Sequence, residues 1–335
     1  MDPTARQRES ALRPPAPLRA AAAAEPIVVS LAAAIIAVRG EEPMVAVVPA
    51  AEAERGPAVS LPCGPYLPRQ HGGIEAGVRF WARELTGIEL GAVRQLCVLG
   101  DGDQQAPAGA RAPAQAGVGV CYLALVDPER AEACEAEWRG WYTFFPWEDW
   151  RHGKPSCLAD DIEPRLAAWA RQSPAPCEAR PDREAVPRGR RLRIAFGFEG
   201  ATWDEEKVVE RYQLLCEAGL LSVPALAHPL LGDQGRVLAA AIGEVRRSVK
   251  YQPAIFELMP QEFTLFELQK TTEAILGPHL HKQNFRRLVE GGGLVEPTGD
   301  YRFRTGGRPA RLYRFRRDVL LERLAPGVRI KAGRS

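Results

Sequence analysis

Between Ile27 and Val126 the apolar residues come mostly in short runs, the pattern of strands, with one helical interruption. Ile27–Val38 and Met44–Val48 read as two strands joined by a polar turn at 39–43. The stretch 61–73 is punctuated by Gly and Pro and reads as loop. Ile74–Leu85 reads as a helix, closed by Gly87 just past its end. Ala92–Leu99 and Val118–Val126 read as strands on either side of a Gly/Ala/Pro/Gln-rich loop. Next come Trp138, Trp141, Tyr142, Phe144, Phe145, Trp147 and Trp150. Aromatic residues at that density build core or a subunit interface in preference to a site that stacks a base. Helices are predicted at Asp160–Arg171, Trp203–Leu221 and Arg236–Lys250, and a strand at Arg193–Phe198. The Pro- and charge-rich stretch 172–190 reads as a surface excursion, and 223–235 as a linker.

The pattern changes after Phe256. Thr264 and Glu267 have the T-x-x-E spacing of a capping box, in which each side chain bonds the other's backbone N–H. Leu265, Leu268, Thr272, Ile275 and Leu276 then line one helix face, and Gly277-Pro278 stops it. A second short helix starts near His281, with Phe285, Leu288 and Val289 inward. At 100° per residue, Gln283, Arg286 and Arg287 fall on the outer face, with Lys282 beside them. Gly291–Gly293 ends this helix. Leu294–Pro297 and Leu312–Arg316 pair as a hairpin, with Arg302, Arg304, Gly306, Gly307, Arg308 and Arg311 between them. Two short helices, a stop and a basic hairpin, in that order, make a winged helix-turn-helix. Arg can grip guanine O6 and N7 with two hydrogen bonds, and Gln can do the same for adenine N6 and N7. The expected DNA-contacting set is Thr264, His281, Lys282, Gln283, Asn284, Arg286, Arg287, Arg304, Arg308 and Arg311.

Charge supports this division. From Arg236 onward 19 Lys and Arg face 10 Asp and Glu, whereas the preceding residues carry 25 against 32. A basic C-terminal third on an acidic body points to a polyanionic partner for that third alone. A chain of 335 residues is too long for one small core and is expected to hold two domains plus tails. Its seven cysteines are odd in number and scattered, without a CxxC pair, which fits reduced thiols in a cytoplasmic protein. His279 and His281 flank one Leu without further ligands nearby, so no metal site is expected. Arginines before an Ala-rich apolar stretch have the outline of a signal peptide. Glu25 and Pro26 interrupt it, and the run from Ile27 falls far short of the ~20 residues of a membrane span.

The C-terminal segments FELMPQEFTLFELQKTTEAIL (256–276), HKQNFRRLVEGGGLVEPTG (281–299) and GGRPARLYRF (306–315) closely resemble the winged module of Nudix-related transcriptional regulators. LPCGPYLP at 61–68, RELTGIEL at 83–90, QLCVLGDGDQ at 95–104 and GVGVCYLALV at 117–126 look like their Nudix-type domain. WYTFFPWEDWRHGKP (141–155) and residues 194–220 look most like the branch of alphaproteobacterial repressors of NAD biosynthesis. A working Nudix box ends in REUXEEXGU, with U aliphatic, and its carboxylates hold magnesium against a diphosphate. Anchored on Gly87-Ile88, the REUXEE positions fall on Phe80, Trp81, Ala82, Arg83, Glu84 and Leu85, and the upstream Glu falls on Gly72. Only Glu84 fits, although Glu75 is a stray acid nearby. The resemblance therefore implies a sensor domain that binds an adenine nucleotide or an ADP-ribose-type metabolite without hydrolysing it. Arg69, Arg79, Arg83 and Asp101 border the degenerate box and are candidates for its phosphates.

The expected fold class is α+β: a Nudix-like α/β/α sandwich with a mixed sheet, followed by a C-terminal winged helix-turn-helix. The expected domains are a disordered tail at 1–25, the Nudix-like effector and dimerisation domain at 26–230, the winged helix at 236–323 and a tail at 324–335. The expected function is a cytoplasmic, homodimeric repressor of NAD-biosynthesis genes whose partners are operator DNA and a small adenine nucleotide effector. No cofactor and no catalytic residue are implied. An active Nudix pyrophosphatase acting on ADP-ribose or related nucleotides is one alternative. A nucleotide sensor whose basic module binds protein or RNA is another.

Overall fold

In the computed structural model, the described residues are 27–50, 59–100, 117–172, 186–222, 230, 233–303 and 309–322. The N-terminal part is a mixed sheet of seven strands: β1 (Val28–Arg39), β2 (Glu42–Pro49), β3 (Val59–Ser60), β4 (Cys63–Pro65), β5 (Val93–Gly100), β6 (Gly117–Leu125) and β7 (Glu137–Gly140). The main order is β3-β2-β1-β6-β5. β1 pairs parallel to β6 and antiparallel to β2 and β4, and the other pairs are antiparallel. Its near-continuous apolar sequence follows from its place at the centre, covered on both faces.

The two faces of β1 feed separate cores. Leu31, Ala33, Ile35 and Ala37 pack with Val78 and Ala82. Ala34, Ile36 and Val38 pack with Trp141, Phe145 and Trp147. The helices of this part are α1 (Pro68–His71), α2 (Ile74–Thr86), α3 (Pro128–Ala133), α4 (Trp141–Phe144), α5 (Glu163–Arg171), α6 (Arg188–Phe196), α7 (Val208–Glu217) and α8 (Gln234–Tyr251). α2 ends as expected: Gly87 is left-handed, φ 69°, and its N–H donates to the Arg83 carbonyl at 2.8 Å. The aromatic cluster is core, with Trp141 and Trp147 fully buried.

Four elements depart from the sequence reading. In place of the strand expected at Arg193–Phe198, helix α6 runs to Phe196, Gly197 caps it and Phe198 begins a 3-10 turn. Arg-Leu-Arg-Ile alternates over too few residues to separate the two periods. The inward set is Leu192, Ala195 and Phe196, which is helical spacing, and Ile194 is 49% exposed. The helix expected from Trp203 begins only at Val208, because Asp204 ties the preceding turn by accepting from the Glu206 N–H at 3.0 Å. The helix expected from Asp160 opens with a π-helical turn, Cys157–Ile162, before α5. The loop expected at 61–73 contains β4 and α1.

The C-terminal part comprises β8 (Phe263–Thr264), α9 (Leu265–Leu276), α10 (Lys282–Gly291), β9 (Val295–Arg302), β10 (Ala310–Phe315) and α11 (Val319–Glu322). Its three strands lie in the order β8-β10-β9, all antiparallel. α8, which the sequence places at the start of the C-terminal domain, packs on α7, β1 and β5 as well as on α9. One apolar core therefore runs from Ile36 through Val245 and Leu268 to Phe285 and Val289.

Candidate nucleic-acid interface

Thr264 caps α9 with both halves of the box in place. Its hydroxyl accepts from the Glu267 N–H at 3.2 Å, and the Glu267 carboxylate accepts from the Thr264 N–H at 2.9 Å. The other Glu267 oxygen accepts from Arg302 at 2.6 Å, which ties strand β9 to the start of α9. Thr264 is buried, and its hydroxyl is engaged by the cap. Among the described residues of the expected DNA-contacting set, Thr264 is the one that is buried.

The turn between the helices is organised by Glu273. Its carboxylate accepts from the Leu280 N–H at 2.9 Å and from Gln269 at 2.8 Å, and faces His279 Nδ1 at 3.3 Å and Lys270. Burial alone would raise the Glu273 pKa. The Leu280 N–H, Gln269, His279 and Lys270 outweigh it and hold the carboxyl below its ordinary range. Gly277, φ 97°, makes the reversal, and a Cβ there would meet the Trp150 Cβ at 3.3 Å.

α10 is strongly two-sided. Phe285 and Val289 are buried, at 1% and 0% exposure, and Leu288 is half-buried. His281, Lys282, Gln283, Asn284, Arg286 and Arg287 are all exposed. Arg287 donates to the Asn284 side chain at 2.9 Å, which orders that part of the face. Arg311 is exposed on β10 and lies over the Tyr313 ring at 5.7 Å. Arg304 and Arg308, with Gly306 and Gly307, lie outside the described residues. The structure thus brings His281, Lys282, Gln283, Asn284, Arg286 and Arg287 onto one solvent-facing helix, beside a paired ribbon that carries Arg311.

The residues bordering the degenerate box are less uniform. Arg69 and Arg83 are exposed, and Arg83 is 3.6 Å from Glu84. Arg79 donates to the Leu90 carbonyl at 2.6 Å and also to that of Gly91, so it braces the segment after α2. Asp101 lies outside the described residues. Trp81 donates its indole N–H to the Pro65 carbonyl at 3.0 Å and packs against Gly64, where any Cβ would collide with its ring. Among the described residues, no group of three or more His, Cys, Asp or Glu is placed to hold a metal ion.

Two buried features escaped the sequence reading. His71 is 6% exposed among Tyr66, Phe80 and Trp81, and its Nδ1 accepts from the Leu67 N–H at 3.1 Å. The second is a fully buried ion triad. Arg211 grips Glu148 at 2.6 and 2.9 Å, and Arg246 reaches the same carboxylate at 2.6 Å. Arg246 also donates to the Ile275 carbonyl at 3.0 Å, and Tyr142 to the Ala274 carbonyl at 2.7 Å. These contacts attach the end of α9 to the body. The triad's members are far apart in sequence, and no local pattern marks them.

Residues 255–315 match the family described as the NrtR DNA-binding winged helix domain. A stretch of 91 residues is 41% identical to the ADPR responsive transcriptional repressor NtrR of Acinetobacter baylyi. That match covers 27% of this chain and 36% of the relative, so the chain spans about a third of that curated protein's length in the alignment. The crystal structure of Shewanella oneidensis NrtR complexed with a 27mer DNA superposes with TM-score 0.51 at 19% identity, covering 87% of this chain and 94% of that one. A second crystal structure of Shewanella oneidensis NrtR gives the same values. The fold is α+β, a Nudix-like domain with a mixed sheet followed by a C-terminal winged helix, as the sequence led us to expect.

Proposed function

We propose that this chain is a DNA-binding transcriptional repressor that responds to an ADP-ribose-type metabolite and controls genes of NAD biosynthesis. One observation carries the reading: a winged-helix recognition helix, braced from behind by Phe285 and Val289, presents Lys282, Gln283, Arg286 and Arg287 to solvent. The paired donors of Arg286 and the donor–acceptor pair of the Gln283 amide suit base edges in a major groove, while Lys282, His281, Asn284 and Arg287 suit phosphates. Arg311, with Arg304 and Arg308, completes the contact from the wing. The protein acts in the cytoplasm as a homodimer. One module makes few phosphate contacts, and two half-sites a helical turn apart supply the specificity a regulator needs.

The Nudix-like domain is the sensor and not a hydrolase. Where the box needs clustered carboxylates, α2 carries Trp81 and Leu85, and Glu84 alone cannot hold magnesium against a diphosphate. Arg69 and Arg83 are exposed and suited to the effector's phosphates, whereas Arg79 is occupied by two backbone carbonyls. The effector's influence reaches α9 through α8, the Glu148–Arg246–Ile275 chain and the Tyr142–Ala274 hydrogen bond.

The test is a gel shift on promoters of NAD-synthesis genes and on the DNA upstream of this chain's own gene, with and without ADP-ribose. A salt-sensitive, sequence-preferring shift that ADP-ribose alters is expected. Binding that ignores sequence, or the absence of any shift, rejects the assignment. Incubation with magnesium and ADP-ribose is expected to release no AMP.

A further inference from the structure

We infer that Cys97 and Cys121 form a dithiol that a hydroperoxide oxidises to an intramolecular disulfide. The two residues stand directly opposite each other on β5 and β6. A bulge between Gln95 and Cys97 shifts the antiparallel register so that this pairing occurs. Their side chains point to the same face of the sheet, toward the core beneath α8. Cys121 is buried at 2% exposure, whereas Cys97 is only half-buried.

The surroundings divide the roles. The neighbouring Cys121 thiol, helped by the Arg236 guanidinium and opposed by burial, lowers the Cys97 pKa. The Cys97 thiol, burial and the nearby Cys63 and Asp233 push that of Cys121 well above the usual range. A partly exposed thiol beside a cation is the kind that attacks peroxide, and a protonated neighbour is placed to resolve it. Cys63 is excluded as the partner of Cys121. Both pair with Ala32 from opposite sides. That places them roughly 9.5 Å apart, beyond the about 7 Å that a disulfide spans.

The chemistry closes without a further reagent. The Cys97 thiolate attacks one peroxide oxygen; an S–O bond forms, the O–O bond breaks, and the departing oxygen leaves as water or alcohol after taking a proton from solvent. The Cys121 sulfur then attacks the Cys97 sulfur. An S–S bond forms, the S–O bond breaks, and hydroxide departs with the Cys121 proton as water. The two thiols have given two electrons to the peroxide.

Tryptic mapping of the full chain tests this, because peptides 95–111 and 112–130 carry one cysteine each. After dilute hydrogen peroxide and alkylation, the two peptides are expected to appear disulfide-linked. Dithiothreitol should separate them, and Cys134 should remain alkylatable throughout. In Cys121→Ser, dimedone is expected to trap Cys97 as the sulfenic acid. The inference is overturned if Cys97 stays alkylatable, links to another cysteine, or proceeds to sulfinic acid without the cross-link. Because DNA plays no part in the readout, the outcome is independent of the operator-binding assignment.

Discussion

Gln283 and Arg286 lie one turn apart on the exposed side of α10, which lets neighbouring bases be addressed by two different side chains. Arg286→Ala is expected to weaken binding to the preferred site by roughly 1–3 kcal/mol and to relax preference at one base pair. Lys282→Ala is expected to weaken all sequences alike and to reduce the slope of log affinity against log salt by about 0.9. A salt titration on matched and mismatched sites separates the two outcomes. These positions were legible in the sequence because a helix with Phe285 and Val289 inside fixes by rotation what lies outside. Thr264 was legible as a cap from its T-x-x-E spacing, and that cap is present. Its burial depends on packing that the spacing does not show. His71, Arg211 and Arg246 were not legible at all, since their burial depends on chain segments that meet only after folding.

At the scale of elements, the capping box of α9 is a local device with a local cost. Thr264→Ala is expected to destabilise the protein by about 1 kcal/mol, measured by urea unfolding at neutral pH. The elements the sequence resolved best carry their own punctuation: α2 with Gly87, α9 with its cap and Gly277, and the turn between β1 and β2. Those it misplaced lack it. α6 opens with no side-chain cap, and its buried face spans only Leu192, Ala195 and Phe196 among arginines. The first turn of α7 likewise has no side-chain cap to mark it, and tertiary packing sets both boundaries.

For the molecule as a whole, the Glu148 triad sets a pH limit. Burial alone would raise the Glu148 pKa, but Arg211 and Arg246 outweigh it and hold the carboxyl below its ordinary value. A group depressed in the folded state stabilises fully above its unfolded pKa, and that contribution drains away as pH falls through the folded one. Thermal midpoints are therefore expected to hold near neutrality and to fall below about pH 4.3. Glu148→Gln should remove this component and, by leaving two buried guanidinium groups without their anion, cost on the order of 3–5 kcal/mol. A gentler probe is Tyr142→Phe, which deletes one hydrogen bond to α9. It is expected to cost about 0.5–1.5 kcal/mol in stability and to narrow the difference in operator affinity with and without ADP-ribose. Unchanged response to ADP-ribose would remove this contact from the coupling route.

The apolar core that passes without a break from β1 to Val289 also governs how the protein comes apart. Heat has no seam at which to separate the sheet domain from the winged helix, so calorimetry of the intact chain is expected to give a single endotherm. A small molecule that tightens the sheet is then expected to protect α10 from melting, even where it never touches it. Conversely, a gene fragment beginning near residue 255 would yield a reader whose α9 has lost the tyrosine, the arginine and the strand it rests on. Such a fragment is expected to be sticky and poorly folded, and a poor surrogate for the whole protein.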